Sequence, residues 1–535
     1  MEVTRLDYTQ LKYWNHTDLA YISHDPALRE FYAHEALKSS VQDAIRERKN
    51  FGTDRDLLAS VLKKQYSELN LELPISNEVI LDHNMYTITT AHQPTLFTGP
   101  LFHIYKIASA IHMARDLTAS TDGITFIPFF IINAEDHDWA EVNHFHLFGR
   151  KYEWDRQSKG PSGRLPVEGL DVLIKSVIDL FSNAPNLSEI KDLLNDCFQK
   201  AKNYSEFHRL LLHHVFGGHG LVILDMDDVD LKRAFIPLME KEIKEQFSFK
   251  PVSETQSALE KAGFKPQAFC RPINLFYMTD EIRERIEPHE DGVIRVESKI
   301  KYSTEEIIQE LQSHPDRFSP NVIMRPLFEE YILPNIAYIG GGGEIAYWLE
   351  RKTQFAIAGI PFPMLVRRNS LLIVDGQTDA QLKKLKLNVT DTFPDYDSIV
   401  KTYLRKNSQN ELTYDGEMEM IKKAYDMLAA KADHIDATLA TAMRAEQSKQ
   451  LKQFEQLGSR LLRSEKQVQD TDLKKIQRLK EKLFPNGGLQ ERHENFLSFY
   501  ANYGSQFTNN LVEICDPFEE KFMILQLQDS PPSQA

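Results

Sequence analysis

The segment ITFIPFFIIN, residues 124–133, is an unbroken apolar run that constrains the fold more than any other stretch of this chain. Its length and its β-branched content are typical of a strand buried on both faces of a parallel sheet. YTITTA at residues 86–91 predicts another strand, and the apolar spacing of residues 101–117 predicts a helix between the two. Strand, helix and buried strand form a βαβ unit, so we predict an α/β fold built on a parallel sheet.

Other parts of the chain extend this sheet. LVILD at residues 221–225 and PFPMLV at 361–366 predict further strands. NIAYIGGGGEIAYWLERK, which lies between them, predicts a strand, a glycine turn and a helix. Residues 151–216 have mostly helical spacing and predict an insertion, and residues 253–319 predict a second insertion.

At 535 residues the chain is too long for a single core. The predicted division, in chain order, is an N-terminal helical layer (1–83), the first part of the core (84–150), a mostly helical insertion (151–216), the middle of the core (217–252), a second insertion (253–319), the last part of the core (320–395), a coiled-coil arm (396–484), and a C-terminal segment that returns to the core and ends in a disordered tail (485–535).

Residues 415–484 contain no proline and are rich in Lys, Glu, Gln, Ala and Leu. Apolar residues recur every seven positions at Ile421, Leu428 and Ile435, and three–four spacing continues further along, which predicts a coiled coil. Asp436 is the expected N-cap at which a shorter helix folds back against a longer one. A helix from there to Leu483 would be about 70 Å long, and the following FPNGG ends it.

Composition excludes several classes of protein. The net charge of -15 argues against a nucleic-acid-binding role. The cysteines Cys197, Cys270 and Cys515 are far apart and form no CxxC pair, so we expect neither a disulfide framework nor a cysteine-rich structural zinc site. The N-terminus has no signal-peptide core, and no apolar stretch reaches the roughly 20 residues of a membrane span. We therefore expect a cytoplasmic protein without a membrane partner.

The first stretch that could carry chemistry is the loop between the first predicted strand and helix. Amide groups at a helix start favour a bound phosphate or carboxylate. For phosphate binding the candidates are Gln93, Thr98, Gly99, Pro100 and Lys106, and for substrate binding they are His92 and His103. The alternative is a Gly-Pro helix start that binds no ligand.

The second stretch, NAEDHDWAEVNHFH at residues 133–146, follows the buried strand directly. Its polar groups should therefore emerge at the carboxyl edge of the sheet, where ligands bind in this architecture. So many ionisable groups are costly there unless they bond to each other or to a ligand. The residues concerned are Glu135, Asp136, His137, Asp138, Glu141, Asn143 and His144. A metal site that adds His146 matches no standard spacing, so we favour Mg²⁺ carried by a nucleotide over a metal held by the protein.

Three further positions complete the predicted site. A turn of four glycines followed by Glu344 lets the backbone approach a ligand and offers amide groups to an anion; the glycines are Gly340, Gly341, Gly342 and Gly343. Asp225 and Asp227 end a predicted strand, and they either contact ribose, Mg²⁺ or an amine or cap the next helix. Arg367, with Arg368 beside it, is a candidate for phosphate contacts, the alternative being a solvated arginine.

Four stretches occur in this order: TGPLFHIYK, FIPFFIINAEDHDWAEVNH, GGGGEIAYW and LFPNGGLQER. Together they resemble the BshC family, the cysteine ligases of bacillithiol biosynthesis, over residues 85–510. The resemblance implies a Rossmann-type core with helical, connecting-peptide-like insertions, similar to class I cysteinyl-tRNA synthetases. It also implies a C-terminal coiled coil that mediates a homodimer.

The reaction implied by the resemblance joins the carboxyl group of L-cysteine to the amine of glucosaminyl-malate. Because a carboxylate is a poor acylating agent, ATP, with Mg²⁺, would activate it, and helix-start amides, Lys106 and Arg367 would stabilise phosphate charge. Asp136, His137 or Asp138 would deprotonate the attacking amine. The sequence has no KMSKS-like loop, so an acyl-phosphate and an acyl-adenylate remain alternatives.

Two rival functions are compatible with the sequence. One is a nucleotide-binding transferase, similar to a nucleotidyltransferase, that acts on another small substrate. The other is a dimeric coiled-coil scaffold with a non-catalytic core. The enzyme hypotheses require that the loops after residues 91, 133 and 339 converge at one rim of the sheet and form one pocket.

Overall fold

The computed structural model describes residues 1–407 and 415–528. These divide into two compact units. The first consists of Val3–Leu372 and Gln490–Ile524, and the second contains Ile373–Leu489 with short segments from both chain ends. The predicted disordered tail lies mostly outside the described residues.

The strands, in chain order, are β1 (Glu2–Leu6), β2 (Met85–His92), β3 (Thr125–Ile132), β4 (His144–Leu147), β5 (Arg150–Glu153), β6 (Val222–Asp225), β7 (Leu275–Met278), β8 (Arg283–His289), β9 (Gly292–Arg295), β10 (Lys301–Ser303), β11 (Phe318–Pro320), β12 (Asn335–Gly340), β13 (Met364–Arg367), β14 (Ser370–Val374) and β15 (Phe522–Gln526).

The helices are α1 (His16–Ile22), α2 (Val41–Arg48), α3 (Arg55–Ser67), α4 (Asn77–Leu81), α5 (Phe102–Ser120), α6 (Trp139–Val142), α7 (Leu170–Leu180), α8 (Leu187–Lys200), α9 (Tyr204–Phe216), α10 (Val229–Glu245), α11 (Phe249–Lys261), α12 (Thr304–Ser313), α13 (Arg325–Ile332), α14 (Gly342–Trp348), α15 (Lys352–Ala358), α16 (Gly376–Lys384), α17 (Tyr396–Asn407), α18 (Asp415–Asp433), α19 (Ala437–Val468), α20 (Asp470–Leu483), α21 (Leu497–Tyr503) and α22 (Ser505–Ile514). None of the helices in the described ranges is both long and apolar enough to cross a bilayer.

The central sheet of the first unit is parallel and has the strand order β13-β12-β2-β3-β6. The apolar run of residues 124–133 forms β3, which pairs with β2 along its whole length, from Met85↔Thr125 to His92↔Ile132. The predicted Rossmann-type α/β fold is therefore confirmed. From β2 the chain proceeds outward through β3 to β6, and it later returns to add β12 and β13 on the other side of β2. The strand order thus reverses between β2 and β12, and ligands bind at such a switch point in open parallel sheets.

Both faces of the central sheet are covered, which explains the apolar character of its strands. On one face Ile88 and Ile339 pack with residues of α2 and α5, such as Met113. On the other face Phe129 and Leu224 join a larger cluster that includes residues of α3, α10 and α13.

Helix α5 begins at Phe102, one residue after the start of the predicted span 101–117. The preceding residues Phe97, Thr98 and Gly99 all have positive φ, so the chain turns sharply there and cannot yet be helical. Gly99 is required at φ 61° because an added Cβ would also lie 2.9 Å from Thr95 Oγ1. Leu101 occupies the N-cap and makes no side-chain capping hydrogen bond.

Residues 275–320 supply the strands of a separate antiparallel sheet with the order β10-β9-β8-β7-β11. Two smaller sheets are formed by β4 with β5 and by β1, β15 and β14 in that order. Within residues 151–216 the regular elements are mainly the helices α7, α8 and α9.

The second unit contains the helical hairpin of α18 and α19. Asp436 caps α19 by accepting a hydrogen bond from the amide of Thr438, as predicted for this position. The two helices run back along each other, since Gln447 Nε2 donates to Lys422 O and to Asp426 Oδ1. The coiled-coil prediction is confirmed for this hairpin.

The predicted single helix from Asp436 to Leu483 is wrong, because α19 ends at Val468 and α20 begins at Asp470. Gln469 lies between them with φ -97° and ψ 12°. Asp470 and Asp472 stand in the first turn of α20, where carboxylates are favourable beside the positive end of the helix dipole. Helix α20 then packs on α17, where Tyr403 donates its hydroxyl to Asp472 Oδ2 at 2.9 Å.

Candidate active site at the strand ends

A cavity of about 680 Å³ lies at the carboxyl ends of the parallel strands in the first unit. Its lining includes residues 91–93 at the end of β2, residues 133 and 136–138 after β3, and residues 341–344 after β12. The predicted convergence of these three loops on one pocket is therefore confirmed. It follows from the topology, because neighbouring parallel strands bring their carboxyl ends to the same edge.

The glycine turn after β12 forms one wall. The amide of Gly341 donates to Glu344 Oε2 at 2.8 Å, which fixes the turn at the start of α14. A Cβ on Gly342 would lie 2.2 Å from the carboxylate of Asp18, so no other residue fits there, whereas Gly343 has open space around it. Gly341, Gly342, Gly343 and Glu344 line the cavity, while Gly340, the last residue of β12, is not part of the lining.

The two arginines at the end of β13 have different partners. Arg367 is buried, and its guanidinium donates to Asp18 at 2.9 and 3.1 Å. Burial by itself lowers the pKa of Arg367, but Asp18 more than offsets it and the pKa is raised. Arg367 is not part of the cavity lining, whereas Arg368 is.

Arg368 is only 2% exposed, and most of its guanidinium hydrogen bonds stay within the protein. Its Nη2 donates to Glu491 Oε1 at 2.7 Å, which anchors the side chain. Its Nε has no hydrogen-bond partner among residues 1–407 and 415–528, and it would lie 3.6 Å from a Cβ built on Gly341. The glycine turn and an unsatisfied guanidinium nitrogen thus meet at the cavity wall.

The polar segment after β3 contributes Asp136, His137, Asp138 and Glu141 to the lining. Arg283 Nη1 lies 3.4 Å from Asp136 Oδ1 and 3.0 Å from His137 Nδ1. Because an arginine can only donate, His137 Nδ1 accepts this hydrogen bond and the neutral ring carries its proton on Nε2. Burial alone would raise the pKa of Asp136, but the hydrogen bond with His137 and the charge of Arg283 hold it well below its usual range.

Other acidic residues predicted for the site turn away from the cavity into ion pairs. Asp227 is buried against Arg164 at 2.6 Å and Lys232 at 2.6 Å. Asp225 accepts a hydrogen bond from Ser205 and lies 3.8 Å from Arg209, and burial raises its pKa to about 6. Neither aspartate lines the cavity.

Among the residues predicted to bind a ligand around the first loop, His92 lines the cavity, whereas His103 and Lys106 do not. Burial, with the charge of Lys106, lowers the pKa of His92 to about 4, so this imidazole is neutral. Lys106 is fully buried and donates to Ala91 O and, at 2.7 Å, to Glu344 Oε1. His103 is also fully buried and stacks on Phe130 at a centroid distance of 5.0 Å.

The predicted helix-start anion site is occupied by the protein itself. The amide of Leu101 donates to Glu494 O at 2.8 Å, and Asn495 Nδ2 donates to Gly99 O at 2.6 Å. Gln93 lines the cavity, but Thr98, Gly99 and Pro100 do not. Asn143 and His144 also lie outside the lining; Asn143 donates to Glu153 at 2.9 Å.

Most of the basic groups that line the cavity were not predicted from the sequence. Arginine side chains line it from several elements, namely Arg271, Arg283, Arg285, Arg325 and Arg492. Arg283 is held over the ring of Phe276 at 3.9 Å, and Arg271 lies over Phe269 at 4.8 Å. The spacing of Arg283 and Arg285 could have indicated that these two arginines act together, since residues two apart share one face of a strand.

A protein-bound metal ion needs several His, Cys, Asp or Glu side chains gathered around one point. Among residues 1–407 and 415–528, no group of three or more His, Cys, Asp or Glu is arranged to hold a metal ion.

Comparison with known proteins identifies the family. The family described as "Bacillithiol biosynthesis BshC, N-terminal Rossmann-like domain" matches residues 1–369, and "Bacillithiol biosynthesis BshC, C-terminal coiled-coil domain" matches residues 371–527.

Full-length relatives agree with this result. Proteins named "Putative cysteine ligase BshC" from Flavobacterium johnsoniae and Christiangramia forsetii are each 37% identical to this chain, covering 98% of it and 99% of their own length. A protein of the same name from Bacillus cereus is 28% identical over 92% of this chain and 94% of its own. The chain therefore belongs to the BshC family of bacillithiol biosynthesis, with a Rossmann-like domain followed by a coiled-coil domain.

Proposed function

We propose that this protein is a cysteine ligase that joins the carboxyl group of L-cysteine to the amine of glucosaminyl-malate, with ATP and its Mg²⁺ activating the carboxyl group in the cytoplasm. Membership of the BshC family supports the substrate assignment. The observation that carries the proposal is the cavity at the switch point of the sheet, where anion-binding arginines and carboxylates face one another.

The glycine turn and Arg368 fit the phosphates of ATP. The unsatisfied Nε of Arg368 is a buried donor that lacks an acceptor, and an open backbone at Gly343 permits close approach. Arg492 lines the same cavity and adds a second positive charge. Bound ATP would supply a leaving group for the carboxylate oxygen of cysteine, and these side chains would hold the phosphates and offset their charge.

The arginines of the antiparallel sheet suit the carboxylates of glucosaminyl-malate. Arg271 Nη1 and Arg285 Nε lie 3.4 and 4.0 Å from the same oxygen of Glu287, so two guanidinium groups share one carboxylate. Two arginines paired with a single acidic residue leave donors for an anionic substrate.

The residues after β3 have distinct chemical capacities. Asp136 stays ionised and holds Arg283, so it is a weak base, and His137 presents Nε2–H as a donor. The Asp138 carboxylate is exposed and makes no hydrogen bond or ion pair with the residues that the structure describes. Within this segment, Asp138 and the equally exposed Glu141 are therefore the carboxylates available to accept a proton, and Asp138 lies closer to the end of β3.

The coiled-coil domain is proposed to form a homodimer. Large apolar side chains are exposed along the hairpin of α18 and α19 in the single chain: Met420, Met427, Leu428, Leu439, Leu457, Leu461 and Val468. A second copy that packs a matching stripe against them would remove these groups from water.

The direct test is a reaction of purified protein with L-cysteine, ATP, Mg²⁺ and glucosaminyl-malate, followed by mass spectrometry. We expect an amide product that requires all components, and either ADP with phosphate or AMP with pyrophosphate. Arg492→Gln should raise the KM for ATP at least tenfold, while the exposed Arg46→Gln should leave it unchanged. Transfer of a nucleotide to the sugar without amide formation would contradict the proposal and favour a nucleotidyltransferase.

A further inference from the structure

Glu329 on α13 is a cavity residue to which neither the sequence pattern nor the preceding proposal assigns a role. Glu329 lines the cavity although it is only 4% exposed. The small exposed part of the residue therefore faces the cavity. Within the described chain its carboxylate makes no hydrogen bond and no ion pair. By contrast, the adjacent Glu330 accepts a hydrogen bond from Asn335 at 2.6 Å and lies 3.7 Å from Arg48.

The surroundings of Glu329 favour a small cation. Tyr338, Tyr347 and Trp348 line the cavity with it, and their rings present electron-rich faces. Tyr338 donates its hydroxyl to Glu344 Oε1 at 3.0 Å, and the charges of Glu344 and Glu329 both act on the hydroxyl of Tyr347, which is partly buried. Two carboxylates and three aromatic rings thus gather on this wall.

The nearest cations of the protein are already engaged. Arg325, one turn earlier on α13, donates to Pro320 O at 3.2 Å and lies 3.7 Å from Glu135. Lys106 donates to Glu344 and to Ala91 O. A buried carboxylate without a partner is unfavourable, so a cationic group of a ligand would satisfy Glu329 in a way that the protein does not.

The charged groups that act on Glu329 set its protonation in the empty cavity. Burial raises the pKa of Glu329 to about 8, the charges of Arg325 and Lys106 lower it, and those of Glu330 and Glu344 raise it. At neutral pH the carboxyl group is therefore mostly protonated, and an arriving cation would ionise it with release of a proton.

We propose that Glu329 binds the primary ammonium group of a substrate in this cavity. The identity of the substrate rests on the proposed function, and two sources share this chemistry: the α-ammonium of L-cysteine and the amine of the hexosamine. An ammonium group offers three donors on a compact charge, which matches a carboxylate flanked by aromatic rings.

The test compares ligands that differ only in the ammonium group, using calorimetry on the full-length protein. L-cysteine is paired with 3-mercaptopropionate, and D-glucosamine with D-glucose. Wild-type protein should prefer the ammonium member of one pair by at least tenfold, because hydrogen bonds between charged groups are about twice as strong as neutral ones. Glu329→Gln should abolish this preference, and the exposed Glu305→Gln should retain it.

A second measurement on the wild-type protein does not depend on a variant. Binding of the preferred ammonium ligand at pH 7, measured in buffers of different ionisation enthalpy, should release about one proton, whereas its partner without nitrogen should release none. The pair that responds identifies the source of the ammonium. An unchanged preference in Glu329→Gln, or equal proton release by both members of each pair, would overturn the inference. Because no ligation is required, a loss of ligase activity alone would count against the proposed function and not against this site.

Discussion

Helices α5 and α19 are both long, yet their surroundings differ. Most of α5 is buried, including the polar residues His103, Lys106 and Ser109. In α19, Ala440 is buried, whereas Leu457 and Leu461 are exposed at 50% and 58%. The fold of the first unit thus encloses polar groups and satisfies most of them internally, while the second unit displays apolar groups that its own chain leaves uncovered. We therefore expect substitutions of buried polar groups to affect mainly the stability of the first unit. Substitutions of exposed apolar groups in the second unit should affect mainly the association of two copies of the chain.

The largest effect is expected from breaking a buried ion pair of the first unit. Asp18→Asn leaves the guanidinium of Arg367 buried without its charge partner, which should lower the free energy of unfolding by about 3–5 kcal/mol. Urea denaturation would measure this loss, with Asp43→Asn, at an exposed ion pair, as the control. A loss below about 1 kcal/mol would show that water or a rearrangement stabilises Arg367.

Replacing the buried carboxyl group of Glu329 should raise the free energy of unfolding at high pH, whereas Asp18→Asn lowers it. The pKa of Glu329 is raised above its unfolded value, so the folded state holds a proton that the unfolded state loses as the pH increases from about 4.5 to about 8. Wild-type stability should fall across this window, and Glu329→Gln, which does not titrate, should remove the share of that fall that Glu329 causes. Other buried carboxyls, such as Glu330, whose pKa burial raises to about 7, account for the rest. The variant should be more stable than wild type at pH 9 by on the order of 2–4 kcal/mol and little different at pH 4.5. Equal pH profiles from thermal denaturation would contradict this.

In the second unit, polar substitution should act on assembly. Leu457→Gln with Leu461→Gln keeps the helix propensity nearly constant but removes two apolar groups. We expect the dissociation constant of the dimer to rise about a hundredfold, or tenfold for each side chain. Sedimentation velocity over a concentration series measures it, and the exposed Lys452→Gln serves as the control. A dimer unaffected by the double variant would place the interface elsewhere.

The smallest effect should come from an exposed ion pair of α20. Lys474 and Asp470 lie 2.7 Å apart at i,i+4, with side chains 67% and 59% exposed. Lys474→Ala should change the free energy of unfolding by less than about 0.5 kcal/mol. A loss above about 1 kcal/mol in chemical denaturation would show that this exposed face is covered in solution.

Much of the first unit could be predicted from the sequence, because its strands carry strong local signals. The apolar run of β3 and the glycines after β12 locate both the sheet and its edge. Parallel pairing of the strands then predicts that the loops meet at one edge, and this prediction requires no knowledge of side-chain contacts. The break at Gln469 was missed because the apolar spacing continues on both sides of it.

The direction of individual side chains could not be predicted in the same way. Arg367 is the last residue of β13 and Arg368 is the first residue after it, yet Arg367 pairs with Asp18 while Arg368 pairs with Glu491 and lines the cavity. Lys106 and Asp227 have partners far away in sequence, Glu344 and Arg164, which hold them out of the ligand space. Arg271 and Arg285 belong to strands and loops whose docking on the cavity depends on long-range packing.

Transfer of an isotope from the carboxyl group of cysteine tests the central claim, that the cavity of the first unit activates this carboxylate. L-cysteine labelled with ¹⁸O in both carboxyl oxygens would be incubated with ATP, Mg²⁺, glucosaminyl-malate and the protein, and the products analysed by mass spectrometry. Activation predicts one ¹⁸O atom in the released phosphate or AMP for each amide formed. An amide product with unlabelled phosphate and AMP, or label transfer that persists unchanged when Arg368 and Arg492 are both replaced by glutamine in a protein that still folds, would contradict it.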